Sequence, residues 1–248
     1  MDYNPFSLKG KQILVTGASS GIGRAIAVDC ARMGASVSLT ARNEQRLQET
    51  LSLLPDGSGT VVRADLTLRQ ELECLVEQLP PLDGVVHVAG VGSCCLCKNI
   101  TEHDIHHVVG PNLTAPLLLQ AKLLQSRKVK KNASIAYIAS KAATSPSIGN
   151  AVYSASKAAL VSYAKCLALE LAPRKIRVNC VCPAMVWTDL ILQEGVDREI
   201  LEENEKKYPL GRYGQPEDIA PLVVYLMSDA STWMTGSALE ITGGAQLL

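Results

Sequence analysis

The chain has 248 residues, 47% of them hydrophobic and 19% charged, with 24 Lys+Arg against 24 Asp+Glu. That is long enough to bury a full core and short for two independent domains, so one domain over 1–248 is expected. The balanced charge excludes an electrostatic case for nucleic acid or an anionic membrane as the main partner. The start, MDYNPFSLKGKQ, has an acid at position 2 and no apolar run behind a basic stretch, and does not read as a secretory signal. Apolar segments such as 84–92 fall far short of the ~18 residues that suggest a membrane span. Eight cysteines scattered through apolar segments of a chain without a signal read as free thiols of a reduced, cytoplasmic protein.

The first apolar run, 12–15, has strand length and leads into Thr16-Gly-Ala-Ser-Ser-Gly-Ile-Gly23, which opens a helix over 22–33. Gly17 permits a tight turn, Gly21 lets backbone approach a diphosphate, and Gly23 allows close helix–sheet packing. Unpaired N–H groups of Ser19, Ser20, Ile22 and their neighbours then face an anion at the helix start. A glycine-rich turn is weak evidence alone; its place after the first strand of an α/β chain makes it a dinucleotide site.

The second run, 36–39, ends in Leu39-Thr40-Ala41-Arg42-Asn43 before a helix over 44–54. A site for NAD(H) wants Asp or Glu here to accept from the ribose 2′-hydroxyl. Ala41 leaves room instead, and the Arg42 fork suits a 2′-phosphate, which favours NADP(H) over NAD(H). An ordinary solvated arginine in a loop is the competing reading of Arg42.

A third run, 60–64, precedes Asp65 and Leu66 and a helix over 67–79. The fourth, 84–88, is followed by Ala89 and Gly90. A long helical segment then spans 101–127, and Gly110-Pro111-Asn112 interrupts it. Proline removes one N–H and crowds a carbonyl, so a break or kink centred on 110–112 is expected. The fifth run, 133–139, ends at Ser140, and a helix over 152–171 follows. The sixth, 176–181, leads to Pro183, and helices over 199–207 and 216–227 precede a weak last strand at 238–241. Strand alternating with helix gives a parallel sheet, and strands apolar nearly throughout are covered on both faces. The expected fold is a single Rossmann-type, doubly wound α/β domain with a seven-stranded, mainly parallel sheet.

Tyr153 and Lys157 are four apart within good helix formers, so they share a helix face. A phenol near pKa ~10 is a poor acid–base at neutral pH, and a neighbouring ammonium favours its phenolate. Ser140 offers a hydroxyl to hold a substrate oxygen.

With these residues the chain resembles the short-chain dehydrogenase/reductases over almost its full length. TGASSGIG, Asn112, and Ser140 thirteen residues before Tyr-x-x-x-Lys stand in that family's order and spacing. The resemblance implies that Ser140 orients and polarises a carbonyl while Tyr153 exchanges its proton. It implies that Lys157 also holds the nicotinamide ribose and that Asn112 anchors a water relay through its helix. Pro183-Ala-Met-Val-Trp-Thr188 is similar to the family's segment around the carboxamide, with Val186 lining it and Thr188 a donor. Asp65 matches an adenine-contacting position. The expected activity is NADP(H)-dependent hydride transfer between nicotinamide and a carbonyl or secondary alcohol, in a homotetramer. A 3-oxoacyl thioester on acyl carrier protein leads the substrates. A general ketone, sugar or hydroxysteroid reductase follows, and a non-catalytic dinucleotide sensor is the rival class. Two departures stand out: His87-Val88 replaces Asn-Asn before Ala89-Gly90, and Ala184 replaces Gly.

Cys94, Cys95 and Cys97, with His103, His106 and His107, invite zinc, whose ligands are thiolates and imidazoles. No second cysteine pair lies nearby, so no metal site is expected and a substrate-side loop is the preferred reading. Cys180 and Cys182 flank Val181 in a core strand and read as buried fillers. Arg127, Lys128, Lys130 and Lys131 form a basic cluster before the fifth strand, and Arg174-Lys175 precede the sixth. Such charges are usually solvated loop faces; similarity to the 3-oxoacyl reductases implies that Lys131 and Arg174 meet an acidic carrier. Substrate specificity falls to the loop 92–99 and the region 188–207.

Overall fold

The seven apolar runs form one sheet in the computed structural model, which describes residues 4–193 and 197–245. Its strands are β1 (Gln12–Thr16), β2 (Ser36–Thr40), β3 (Gly59–Val61), β4 (Leu82–His87), β5 (Val129–Ile138), β6 (Arg177–Pro183) and β7 (Ala238–Ile241). They lie in the order β3-β2-β1-β4-β5-β6-β7. Every pairing among them is parallel, as expected for a Rossmann-type sheet. The order reverses between β1 and β4, and ligands of such sheets bind at the carboxyl ends of the strands there.

Alternate residues of one strand feed two cores. Ile13, Val15 and Val86 pack with Ile26, Leu39 and Val223 on one side. Leu14 and Val85 pack with Leu119, Leu123, Ile135 and Leu160 on the other. The first side is covered by α1 (Gly21–Arg32), α2 (Glu44–Leu51) and α9 (Pro216–Met227). The second is covered by α3 (Arg69–Gln78), α5 (Ala115–Gln125) and α6 (Ala151–Leu171). The buried residues of α1 are Gly23, Ala25, Ile26, Ala27, Val28, Cys30 and Ala31, most of them small, and α9 lies against this helix.

The remaining α-helices among the described residues are α4 (Glu102–Val109), α7 (Asp189–Gln193) and α8 (Arg198–Glu205). The 101–127 segment divides where expected. Residues Gly110–Thr114 form a π-helical turn between α4 and α5, closed by the Ala115 N–H reaching back to the Gly110 carbonyl. A proline lacking its donor inside a continuing helix makes room for such a widened turn.

Some boundaries differ from the sequence reading. Strand β3 ends at Val61 rather than 64, although Val62 and Ala64 still donate to Leu39 and Ala41. Helix α2 stops at Leu51, ahead of Pro55 and Gly57. Strand β5 begins at Val129 instead of 133, so Lys130 and Lys131 lie within it rather than before it. Asn132 there adopts φ +62°, which asparagine tolerates, and the β4–β5 register shifts between Leu82 and Gly84. The short α7 has no clear signal in five residues.

Candidate active site

A groove of about 1100 Å³ runs along the carboxyl ends of the strands. Its first wall is the turn from β1 into α1. Gly17 has φ +65°, and a Cβ there would lie 2.9 Å from the Ala89 backbone. A Cβ on Gly23 would sit 2.2 Å from the Gly17 carbonyl oxygen, so this glycine serves the turn's own fold-back more than helix–sheet packing. Gly21, at φ +50°, faces the methyl of Thr188, whose Cγ2 would be 3.1 Å from an added Cβ. Ser20 caps α1 without a side-chain bond of its own, and Ser19, Ser20 and Ile22 all line the groove.

Residues that the sequence did not single out brace this turn. Arg24 donates to the Ser19 carbonyl at 2.7 Å and to Thr50 Oγ1 at 3.0 Å, and Thr50 donates to the Ala18 carbonyl at 2.9 Å. Thr16 Oγ1 accepts from the Val88 and Ala89 amides at 2.9 and 3.2 Å, tying the ends of β1 and β4 together. Only the place of Thr16 beside Gly17 hinted at this role.

Arg42 and Asn43 stand at the adenosine-side end, as expected. Arg42 is exposed, and Asn43 caps α2 by accepting from the Arg46 amide at 3.0 Å. Asp65 and Leu66 line the same end. Burial opposes charge on Asp65, but bonds from Thr67 and the nearby Arg42 and Arg63 hold its carboxyl below the usual range. Across the groove Arg46 pairs with Asp189 of α7. Pro183, Val186 and Thr188 complete that wall. A bridge between Val186 and Gly214 and a Trp187-to-Gly214 bond of 2.9 Å fix its course. Residues 194–196 of the proposed specificity region lie outside the described residues.

The second half holds Ser140, Tyr153 and Lys157 on adjoining surfaces of the groove. Ser140 lies two residues past the end of β5, where it caps a short 3-10 turn and accepts from the Ala142 amide at 3.1 Å. Tyr153 lies in the first turn of α6 and Lys157 in the next. The Lys157 Nζ is 5.7 Å from the Tyr153 ring centroid and donates to the Ile138 carbonyl at 2.9 Å. Burial pulls this ammonium down to about 8. Beneath it, burial pushes the Cys180 thiol up to about 12 and raises Cys182 as well, so both are protonated core fillers.

Asn112 is buried behind the groove wall. Its Oδ1 accepts from the Val91 amide at 2.7 Å, and its Nδ2 donates to the Val91 carbonyl at 2.9 Å. A Cβ on Gly90 would lie 2.9 Å from Asn112 Oδ1 and 3.5 Å from Lys157 Nζ. Gly90 therefore stands where the asparagine and the lysine approach each other. His87, at the end of β4, is buried and bonds Gln120 of α5 at 3.0 Å.

The groove fits a dinucleotide by an observation independent of any relative. The Gly17, Gly23 and Gly90 positions form a cradle in which a single methyl would collide with backbone or a fixed amide. Among the described residues no group of three or more His, Cys, Asp or Glu is arranged to hold a metal. Half of the basic cluster is engaged by the fold. Lys128 donates to Leu79, Lys130 pairs with Asp83 at 2.8 Å, and Arg174 donates to the Val129 carbonyl at 2.5 Å. Among the described residues no helix is long and apolar enough to cross a membrane.

Comparison with known proteins agrees with this arrangement. A family model described as enoyl-(acyl carrier protein) reductase matches residues 17–246. The chain is 34% identical over 237 residues to a 3-oxoacyl-[acyl-carrier-protein] reductase of Rickettsia felis, covering 96% of this chain and 97% of the relative. It is 35% identical over 248 residues to L-xylulose reductase of Caenorhabditis elegans, covering 96% and 97%. A solved structure assigned as an NAD(P)-dependent gluconate 5-dehydrogenase from Beutenbergia cavernae, with bound NADP, superposes with a TM-score of 0.89 at 32% identity. That match covers 99% of this chain and 100% of the other.

Proposed function

The chain belongs to the short-chain dehydrogenase/reductase family, and we propose that it is an NADP(H)-dependent carbonyl reductase acting through Ser140, Tyr153 and Lys157. One observation carries the reading: the glycine cradle and the serine, tyrosine and lysine open onto the same groove. A bound reduced nicotinamide supplies the hydride. Gly17, Ser19, Ser20, Gly21, Ile22 and Gly23 would hold the diphosphate, and Arg42 and Asn43 the 2′-phosphate. Asp65, Leu66, Ala89 and Gly90 would flank adenine and ribose, with Pro183, Val186 and Thr188 at the carboxamide. Ser140 donates to the carbonyl oxygen and fixes its direction. Tyr153 gives that oxygen its proton. Lys157, an ammonium in water-poor surroundings, lowers the cost of the phenolate left behind. Asn112 holds the wall that keeps Gly90 against Lys157.

A 3-oxoacyl thioester on acyl carrier protein is the leading substrate, supported by the Rickettsia relative and by Lys131, an exposed cation on β5 suited to an acidic carrier. A polyhydroxylated ketone is the second reading. Ser93, Ser145, Ser147, Asn150 and His107 line the substrate side, and two of the compared proteins are named for sugar substrates. The protein is read as one domain, a homotetramer, and cytoplasmic. Exposed Ile105, Leu118 and Leu169 on α4, α5 and α6, with fully exposed Trp233, favour assembly, and eight unpaired cysteines suit a reducing compartment. The helical segments 101–127 and 152–171 and the C-terminal segment 238–248 would supply the interfaces; residues 246–248 lie outside the described residues. NADPH oxidation measured across acyl thioesters, ketoses, diketones and steroids tests the reading. Turnover of a thioester above the ketoses supports the carrier substrate, and absence of turnover on every carbonyl refutes the reductase.

A further inference from the structure

His87 is the one strong departure at the cofactor wall, and its side chain has a specific partner. It is 3% exposed and Gln120 is fully buried, with Nε2 and Oε1 3.0 Å apart. The imidazole stacks on Tyr137 with centroids 4.5 Å apart and planes 6° from parallel, and Tyr163 meets Tyr137 edge-on. Burial holds the ring neutral, with its pKa near 4, so one nitrogen carries a proton to donate to the amide oxygen. The stack fixes the ring plane, and the bond fixes its direction.

The location gives this pair its consequence. Segment 87–91 forms the wall between the glycine turn and Lys157, and it is gripped at three points. His87 holds Gln120, the amides of Val88 and Ala89 hold Thr16, and Val91 exchanges two bonds with Asn112. The first and last grips reach the same helical unit. Asn112 lies in the π-turn that opens α5, and Gln120 lies two turns along it. The lateral position of α5 against β4 therefore also sets where Asn112 stands relative to Gly90 and Lys157.

We propose that His87 is a positioning residue for the reaction: its bond to Gln120 locks α5 against β4, and so holds Asn112 and Gly90 in register with Lys157 and Tyr153. This rests on the reading of the chain as a reductase that uses Tyr153 and Lys157. The pair does at the start of the segment what Asn112 does at its end.

The test separates positioning from bulk stability. Three variants, His87→Leu, Gln120→Met and His87→Gln, are compared in NADPH-dependent reduction of whichever carbonyl the wild type turns over. Measurements are made well below each melting temperature. Leucine and methionine fill similar space without the bond, whereas the glutamine amide can still donate across the gap. We expect His87→Leu and Gln120→Met each to lower kcat five- to tenfold with KM for NADPH within twofold. His87→Gln should return to within twofold of the wild type, and the double variant should be no worse than either single one. Should one variant fail to fold, the other carries the same test. Near-wild-type kcat in a folded His87→Leu or Gln120→Met protein overturns the inference. So do additive losses, or losses in His87→Gln equal to those in His87→Leu. A wild type that reduces no carbonyl overturns the reductase reading itself, a different and recognisable result.

Discussion

The two halves of the groove are built by opposite means. The cofactor half is a backbone surface, where Gly17, Gly23 and Gly90 keep atoms out so that main chain, Asn112 and Lys157 can approach. The catalytic half is a side-chain surface, where Ser140, Tyr153 and Lys157 project from the turn after β5 and from α6. The first half is damaged by adding a methyl, and the second by removing a polar atom. The contrast also separates binding from chemistry, because insertions into the cradle act on the cofactor while deletions from the side-chain wall act on turnover.

The sharpest break of that contrast is Tyr153→Phe. Loss of the phenolic oxygen should lower kcat by 10²-fold or more, with NADPH affinity nearly intact, since only the proton donor is gone. Retention of a tenth of wild-type turnover would sink the assignment. Next comes Gly17→Ala. Its Cβ would lie 2.9 Å from Ala89 at a φ of +65°, so we expect a loss of about 2–3 kcal/mol in stability and at least tenfold in NADPH affinity. Calorimetry and a fluorescence titration read both; a cofactor affinity equal to the wild type's contradicts the cradle. Arg42→Ala sharpens the comparison within the binding half. It should weaken NADPH about tenfold, near 1.4 kcal/mol, and leave NADH within about twofold. Equal losses for both dinucleotides make Arg42 merely structural.

The smallest effect concerns pH. His87 is held near pKa 4 by burial, against an ordinary value of 6.5, with the Gln120 bond working the other way. As pH falls below 6.5 the unfolded chain takes up a proton that the folded chain refuses until about 4. Stability is therefore lost with acidification across that window. Relative to His87→Gln, the wild type should lose about 1 kcal/mol more between pH 7 and 5.5, read by urea unfolding at both values. Parallel stability curves for the two proteins would show that the imidazole is not buried neutral.

The sequence made the cradle and catalytic row legible because each depends on residue type at fixed spacing. Glycines after a strand, and Tyr153 four before Lys157, need no knowledge of the rest of the chain. The break at 110–112 was equally local, since Pro111 acts on its own helix. The braces were hidden for the opposite reason. Arg24 reaches Thr50, Arg46 reaches Asp189, and His87 reaches Gln120, with partners set by packing of distant elements. Strand β5 began early because Lys130 and Lys131, which read as loop, can face water while Val129 pairs with Leu82. The cations that read as solvated loop faces are partly engaged, since a long Lys or Arg side chain readily finds a neighbouring carbonyl or carboxylate.

The π-turn at Gly110–Thr114 also sets an angular phase. An α-helix advances about 100° per residue, and a widened turn takes in one residue that a regular helix would not. Helix α5 is thus rotated relative to α4 by roughly one residue's worth, and this phase is what brings Leu119, Gln120 and Leu123 onto the sheet. Removing one residue from 110–114 would leave a smoother helix of nearly the same length, yet it would turn those three side chains away from β4 and β5. Along this helix, length and direction are one variable, and the extra residue keeps the clock hand pointing inward.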